Sequence, residues 1–379
     1  MNPIYLDCNA TTPIDPEVIE IMNRYLINDF GNEGSHTHHH GTVAKAAVNV
    51  ARDHIAKIVN CSRNEITFTS GATESNNIAI LGLKAFANKE KRNHIITTSI
   101  EHKAVLEPIQ HLDQDGFEVD IVEPDANGRI NPETIKSKIK KNTLLISVMS
   151  ANNETGVTQP IEEIAAIIND EKIYFHVDAA QSFGKIISPL QNKRIDLISV
   201  SGHKIYGPKG VGILITRLRN YEKPPLTPLI FGGGQERGLR PGTLPVFLIA
   251  GLGKAAELAL KNHEKRNLAN TIIQQTFINF LKELKVHFNG DLNHLLSNTI
   301  NFSIPGVDSE AFMLMSKDLM SVSNGSACTT SNYQPSHVIL AMNKNPDIVK
   351  GAIRISWFHH TKLSDIFFDE LRSLLIKLT

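Results

Sequence analysis

A regular alternation of short apolar runs and helix-like stretches through the middle of this chain restricts its fold more than any other feature. Residues 66–69, 94–99, 118–122, 144–148, 173–177, 195–200 and 212–215 have the length and the Ile, Val and Leu content of strands. Helical patterns such as residues 161–169 lie between several of them. Continuous apolar strands separated by helices predict an α/β fold, a mostly parallel sheet covered on both faces. Ligands of such sheets collect at the carboxyl ends of the strands. Helices dominate from residue 248 to about 284, followed by strand-like residues 299–303, a loop around Cys328, a strand near 351–356 and a closing helix over 363–378. A chain of 379 residues exceeds what one core normally holds. The expected division is a large domain over 16–255 and a smaller α/β domain built from 1–15 and 256–379.

Charge and cysteine content narrow the function. Basic and acidic residues balance at 39 each, so there is no electrostatic footprint for direct nucleic-acid binding or for an anionic membrane. No apolar run approaches the ~20 residues that span a bilayer. Residues 1–7 show no basic stretch followed by an apolar one, which predicts a cytoplasmic protein without an export signal. Cys8, Cys61 and Cys328 lack CxxC spacing, as expected of free thiols in a reducing compartment.

The chemistry-bearing residues cluster just after the predicted strands. Ser201-Gly-His-Lys204 follows the apolar run 195–200 and opens a glycine-bounded turn. A lysine there, instead of on a charged helix face, is placed for chemistry, and lysine forms Schiff bases with carbonyl cofactors. Residues 174–178 end in Asp178, with Gln181 just beyond. An aspartate able to pair with a pyridinium nitrogen, together with such a lysine, is the minimal equipment for pyridoxal 5'-phosphate. Gly71-Ala-Thr73 follows a strand and opens a helix at about residue 74, a geometry that binds phosphate, with a plain helix cap as the alternative. His102, after the strand at 94–99, could stack on a ring and move protons, or make one loop hydrogen bond. Asn153 could reach a ring hydroxyl or simply serve a turn. The glycine-rich residues 232–243 carry Arg237, Arg240 and Thr243, which suit an anion or an ordinary surface loop. Cys328 sits among small polar residues, which predicts an accessible, nucleophilic thiol, whereas Cys8 and Cys61 read as structural. Arg354 alternates with isoleucines on a short strand and suits a carboxylate clamp or an internal salt bridge. His36, His38, His39 and His40 lack a matching acid or cysteine set, which favours a structural or site-entrance role over a metal site.

Taken in order, these strings resemble the cysteine desulfurases, fold type I pyridoxal phosphate enzymes of the class V aminotransferase group. The resemblance runs from Tyr5-Leu-Asp-Cys-Asn-Ala-Thr-Thr-Pro13 through Gly71-Ala-Thr-Glu-Ser75, Glu101-His102, Asn152-Asn-Glu154, His176-Val-Asp-Ala-Ala-Gln181, Ser201-Gly-His-Lys204, Arg240-Pro-Gly-Thr243 and Gly325-Ser-Ala-Cys328 to Arg354. It implies a seven-stranded, mostly parallel sheet plus a smaller α/β domain. It implies that Lys204 holds the cofactor, Asp178 pairs with the ring nitrogen, Gln181 contacts the ring oxygen and His102 stacks on the ring and assists proton transfer. Ala72, Thr73, Ser201 and His203 would hold the phosphate, with Thr243 reaching in from the second subunit of a homodimer. Asn153 and Arg354 would fix the carboxylate of L-cysteine. Cys328 would take its sulfur as a persulfide, release L-alanine and hand the sulfur to an acceptor protein. The Gly-Ser-Ala-Cys string resembles the branch of the nitrogen-fixation and housekeeping iron–sulfur enzymes. The Asp7-Cys-Asn-Ala-Thr-Thr12 opening also resembles the sulfur suppliers of DNA phosphorothioate modification. Positions 8, 9, 32–36 and 357–360 depart from common family strings, which leaves the subfamily open. Other readings of the same residues are a related pyridoxal phosphate lyase or aminotransferase such as a selenocysteine lyase, a sulfur relay without turnover, or a metal-binding module on His36–His40.

Overall fold

A computed structural model of the chain describes residues 3–324 and 335–378. Its strands are, in chain order, β1 (Ile4–Tyr5), β2 (Ile66–Thr69), β3 (His94–Thr98), β4 (Glu118–Val122), β5 (Thr143–Met149), β6 (Tyr174–Asp178), β7 (Leu197–Ser201), β8 (Gly212–Thr216), β9 (His287–Phe288), β10 (Thr299–Ser303), β11 (Met320–Ser321) and β12 (Ala352–Ser356). Seven of them form one sheet in the order β2-β8-β7-β6-β5-β3-β4. The pairs β7–β6, β6–β5, β5–β3 and β3–β4 are parallel, and β8 runs antiparallel to both its neighbours. The apolar runs decide this arrangement: every residue of β2, β3, β5, β7 and β8 is buried, because helices cover both faces. In β6 only Tyr174 is half-buried, and strand β4 departs furthest. It lies at the edge, and Glu118 and Asp120 give its open side charges that discourage pairing with another chain.

The parallel register sets the site. Asp178 at the end of β6 stands beside Met149 of β5 and Ser199 of β7. The ends of β2, β3, β5, β6 and β7 therefore open at the same edge of the sheet. The helix Ala72–Leu81 starts there, two residues earlier than its sequence suggests. The histidine run is absorbed by another helix start: His38 caps the helix His39–Val59, its Nδ1 accepting from the Gly41 N–H at 3.2 Å. That helix packs on Val246–Lys261 so closely that a Cβ on Gly253 would lie 2.5 Å from Ala51 Cα.

The helical stretch expected over 248–284 is two helices, Val246–Lys261 and His263–Glu283, broken at Asn262. Asparagine is a weak helix former, and its backbone there leaves helical geometry. Beyond the break, β10 pairs antiparallel with β12 and β9, and β1 pairs in parallel with β11. A second buried cluster forms around these strands. Its centre is Trp357, which stacks on Phe277 at 5.4 Å, and it takes Leu6 from the start of the chain. The large sheet's cluster runs from Val18 to Ala259, joined by Val338.

Gly212, the first residue of β8, lets the sheet reach the start of the helix Ala72–Leu81. A Cβ at Gly212 would lie 2.5 Å from Gly71 Cα and 2.5 Å from the Val200 carbonyl oxygen. Gly212→Ala should therefore lower unfolding stability by about 1–3 kcal/mol, read as a lower denaturant midpoint. An unchanged midpoint would show that this backbone contact yields freely.

Candidate active site

A cavity of about 630 Å³ opens at the strand ends. Ala72, Thr73, His102, Asn153, Asp178, Gln181, Ser201, His203, Lys204 and Arg354 all line it. Residues from five strand ends thus converge as the parallel sheet requires. Thr243 is exposed on the glycine-rich segment and does not line the cavity within one chain. Arg240 of the same segment pairs with Glu74 at 2.8 Å, and so stands against the helix start beside Thr73. Cys328 lies outside the described residues. The described residues flanking it attach to the cavity wall. Ser323 exchanges backbone hydrogen bonds with Arg354, at 2.7 and 3.3 Å. Ser336 donates to the buried Glu154, and His337 Nε2 contacts the Glu101 carbonyl oxygen at 2.9 Å.

Lys204 sits on a single 3-10 turn, Gly202–Lys204, directly after β7. Its Nζ donates to the backbone carbonyls of Asn9 and Ala10, the latter at 2.7 Å. Asn9, which the sequence reading left without a role, is thus a backbone rest for the lysine, and Gln181 Nε2 donates to the same carbonyl at 2.9 Å. Only the string position of Asn9, in the opening motif, could have pointed to it.

Asp178 is 5% exposed. Its Oδ1 accepts from the Ala180 N–H at 2.9 Å and its Oδ2 from Asn76 Nδ2 at 2.7 Å. No cation pairs with it among the described residues. A buried carboxylate without a counter-ion favours a cationic ligand group, and a protonated ring nitrogen is one. At the other end, the start of the helix Ala72–Leu81 has no side-chain cap, so its first N–H groups are available to an anion. Burial holds the His203 imidazole down at about 4, and the charge of Lys204 acts in the same direction. The cavity wall also contains Asn76 Oδ1, Gln181 Oε1 and Arg354 Nε, buried polar atoms with no hydrogen-bond partner among the described residues. Amine, carboxylate, imidazole and helix start together fit pyridoxal phosphate.

His102 caps the helix Lys103–Gln114, its Nδ1 accepting from the Ala104 N–H at 3.1 Å, which leaves Nε2 to carry the proton of the neutral ring. Burial holds this imidazole below its usual value, opposed by the charge of Asp178. Arg354 is 3% exposed and realises the internal salt bridge of its two readings. Its Nη2 pairs with Asp7 Oδ1 at 2.6 Å and its Nη1 donates to the Asn153 carbonyl at 2.9 Å, while Nε is buried with no partner among the described residues. Among the other thiols, burial pushes both Cys8 and Cys61 up to about 12, as befits structural cysteines. Among the described residues no group of three or more His, Cys, Asp or Glu is placed to hold a metal ion, and no helix is long and apolar enough to cross a membrane.

Glu101, beside His102, is fully buried. Its Oε1 accepts from Thr98 Oγ1 and the Met149 N–H, both at 2.8 Å. Burial pushes its carboxyl up to about 8 against these two bonds. The folded chain therefore holds this proton more tightly than the unfolded chain, and stability falls as pH rises from the ordinary carboxylate value towards 8. Glu101→Gln keeps the acceptor and removes the titration. It should unfold with less pH dependence between pH 5 and 8, by on the order of a few kcal/mol. Parallel stability–pH curves for the two proteins would contradict this.

The aminotransferase class-V family profile matches residues 4–367. Cysteine desulfurase IscS of Rickettsia africae (strain ESF-5) is 47% identical over 354 residues, covering 93% of this chain and 85% of the relative. Among solved structures, a NifS-like protein superposes with a TM-score of 0.92 at 35% identity, covering all of both chains. DndA from Streptomyces lividans does so with a TM-score of 0.82 at 45% identity, covering 93% of this chain and 99% of that one. With a pyridoxal phosphate pocket at the strand ends and this likeness over nearly its whole length, the chain belongs to the cysteine desulfurases of the aminotransferase class-V family.

Proposed function

We propose that this enzyme removes the sulfur of L-cysteine, giving L-alanine and a persulfide on Cys328. The observation that carries this reading is the meeting of Lys204 and Asp178 in one cavity, supplied by the ends of neighbouring parallel strands. Bound pyridoxal phosphate supplies an electron sink that loosens the bonds at the substrate's Cα. The chain's own residues do the rest. Lys204 Nζ anchors the cofactor and takes the Cα proton. Asp178 would pair with the ring nitrogen and favour its charged form, Gln181 would contact the ring oxygen and His102 would stack on the ring. Ala72, Thr73, Ser201 and His203 hold the phosphate. Asn153 and Arg354, both in the cavity wall, orient the substrate carboxylate. The Cys328 thiolate forms the new S–S bond as the substrate's C–S bond breaks.

Within this reading the enzyme is a cytoplasmic homodimer. Ile230 and Phe231, 51% and 89% exposed, adjoin the glycine-rich segment that carries Thr243. A second subunit covering them would bring a Thr243 towards the partner's phosphate site. Residues 16–255 act as the large domain and residues 1–15 with 256–379 as the smaller one; the second buried cluster supports the smaller unit, while the first continues through Ala259 and takes in Val338. The persulfide sulfur passes to an acceptor protein, in iron–sulfur assembly or in DNA phosphorothioate modification. The likeness to IscS supports the first route and that to DndA the second.

Two substitutions test the roles. Lys204→Ala should abolish alanine formation and the visible absorption of the bound cofactor; a retained band would remove this lysine from the anchoring role. Cys328→Ser should keep the band and lose persulfide formation. Undiminished sulfur release by that variant would instead favour a lyase that needs no cysteine nucleophile, such as a selenocysteine lyase.

A further inference from the structure

We infer that Asn76 is a positioning residue for the cofactor, acting through Asp178. The inference rests on the reading in which Asp178 pairs with the ring nitrogen. Asn76 lies on the second turn of the helix Ala72–Leu81 and is fully buried. Its Nδ2 meets Asp178 Oδ2 at 2.7 Å, a contact between residues 102 positions apart. A carboxylate can only accept, so the amide must present its NH2 group to Asp178. The Asn76 Oδ1 is then left buried in the cavity wall without a partner among the described residues.

The geometry gives the amide a specific task. One Asp178 oxygen is tied to the Ala180 N–H and the other to Asn76, so the carboxylate plane is fixed from both sides while each oxygen keeps acceptor capacity. The two donors come from different elements: the turn after β6 and the helix Ala72–Leu81. That same helix presents Ala72 and Thr73 to the phosphate end of the cavity. Thr73 and Asn76 are three residues apart, roughly 4.5 Å along a helix axis. One rigid element therefore sets the phosphate end of the cavity and the carboxylate in register with each other.

The test uses the full-length enzyme loaded with pyridoxal phosphate, and compares Asn76→Ala, the near-isosteric Asn76→Asp and Asp178→Asn. Three quantities are read: the cofactor dissociation constant, the pH midpoint of the visible cofactor band, and kcat against KM for L-cysteine. Asn76→Ala should weaken cofactor binding by about tenfold or more and shift the band's midpoint, with kcat falling more than KM rises. Asn76→Asp should do so more severely, since it sets a second carboxylate against Asp178. If Asn76→Ala does not fold, the Asn76→Asp result decides. Should Asp178→Asn disturb cofactor affinity and band while both Asn76 variants leave them unchanged, Asn76 has no positioning role. A lowered melting temperature with an unmoved band would likewise reduce it to a packing residue. Should Asp178→Asn itself leave affinity and band intact, the underlying reading of Asp178 fails instead.

Discussion

A buried carboxylate with no counter-ion needs a reason to exist, and Asp178 is that group here. It hangs from the end of β6, in register with Met149 on one side and Ser199 on the other. Two hydrogen bonds hold it, yet among the described residues nothing neutralises it. Desolvating such a charge is costly unless a cation arrives. The surrounding structure is arranged so that one can. The next strand, β7, delivers Lys204 on a short turn, and the next but one, β8, begins with a glycine small enough for Gly71 to approach. The site is thus a consequence of parallel pairing: strands that point the same way must end together, and their loops must share a cavity.

Much of this was legible in the sequence. The strands of the large sheet announce themselves as apolar runs, because a strand buried on both faces cannot carry a polar stripe. Lys204, Asp178, His102, Asn153 and Arg354 stand out since each follows or interrupts such a run. Less visible were residues whose importance lies in a partner distant along the chain. Asn76 bonds Asp178 across 102 positions, and the Asn9 carbonyl receives Lys204 across 195. Neither pairing leaves a local trace. The Asn9 case is harder still, because its backbone and not its side chain does the work. Helix limits also moved. Ala72 and Thr73 belong to the helix that the sequence places from about residue 74, and Asn262 breaks what reads as one long helix.

Arg354 shows how a charge on a buried strand is accommodated beside the cavity. Arg354 forms the internal salt bridge expected of a charge on a buried strand, with Asp7 of the opening motif. A planar guanidinium offers five N–H donors in a fixed fork. Asp7 and the Asn153 carbonyl orient that fork, so the same contacts that make burial tolerable also fix the plane of the guanidinium. The opening residues Asp7, Asn9 and Ala10 thereby touch both Arg354 and Lys204.

Every part of the account depends on Lys204 being the amine that holds pyridoxal phosphate. The most direct measurement is reduction of the cofactor-loaded enzyme with borohydride, followed by peptide mass mapping. The account predicts one stable phosphopyridoxyl group, on Lys204. A label on any other lysine, or no label on an enzyme that still turns over L-cysteine, would contradict it.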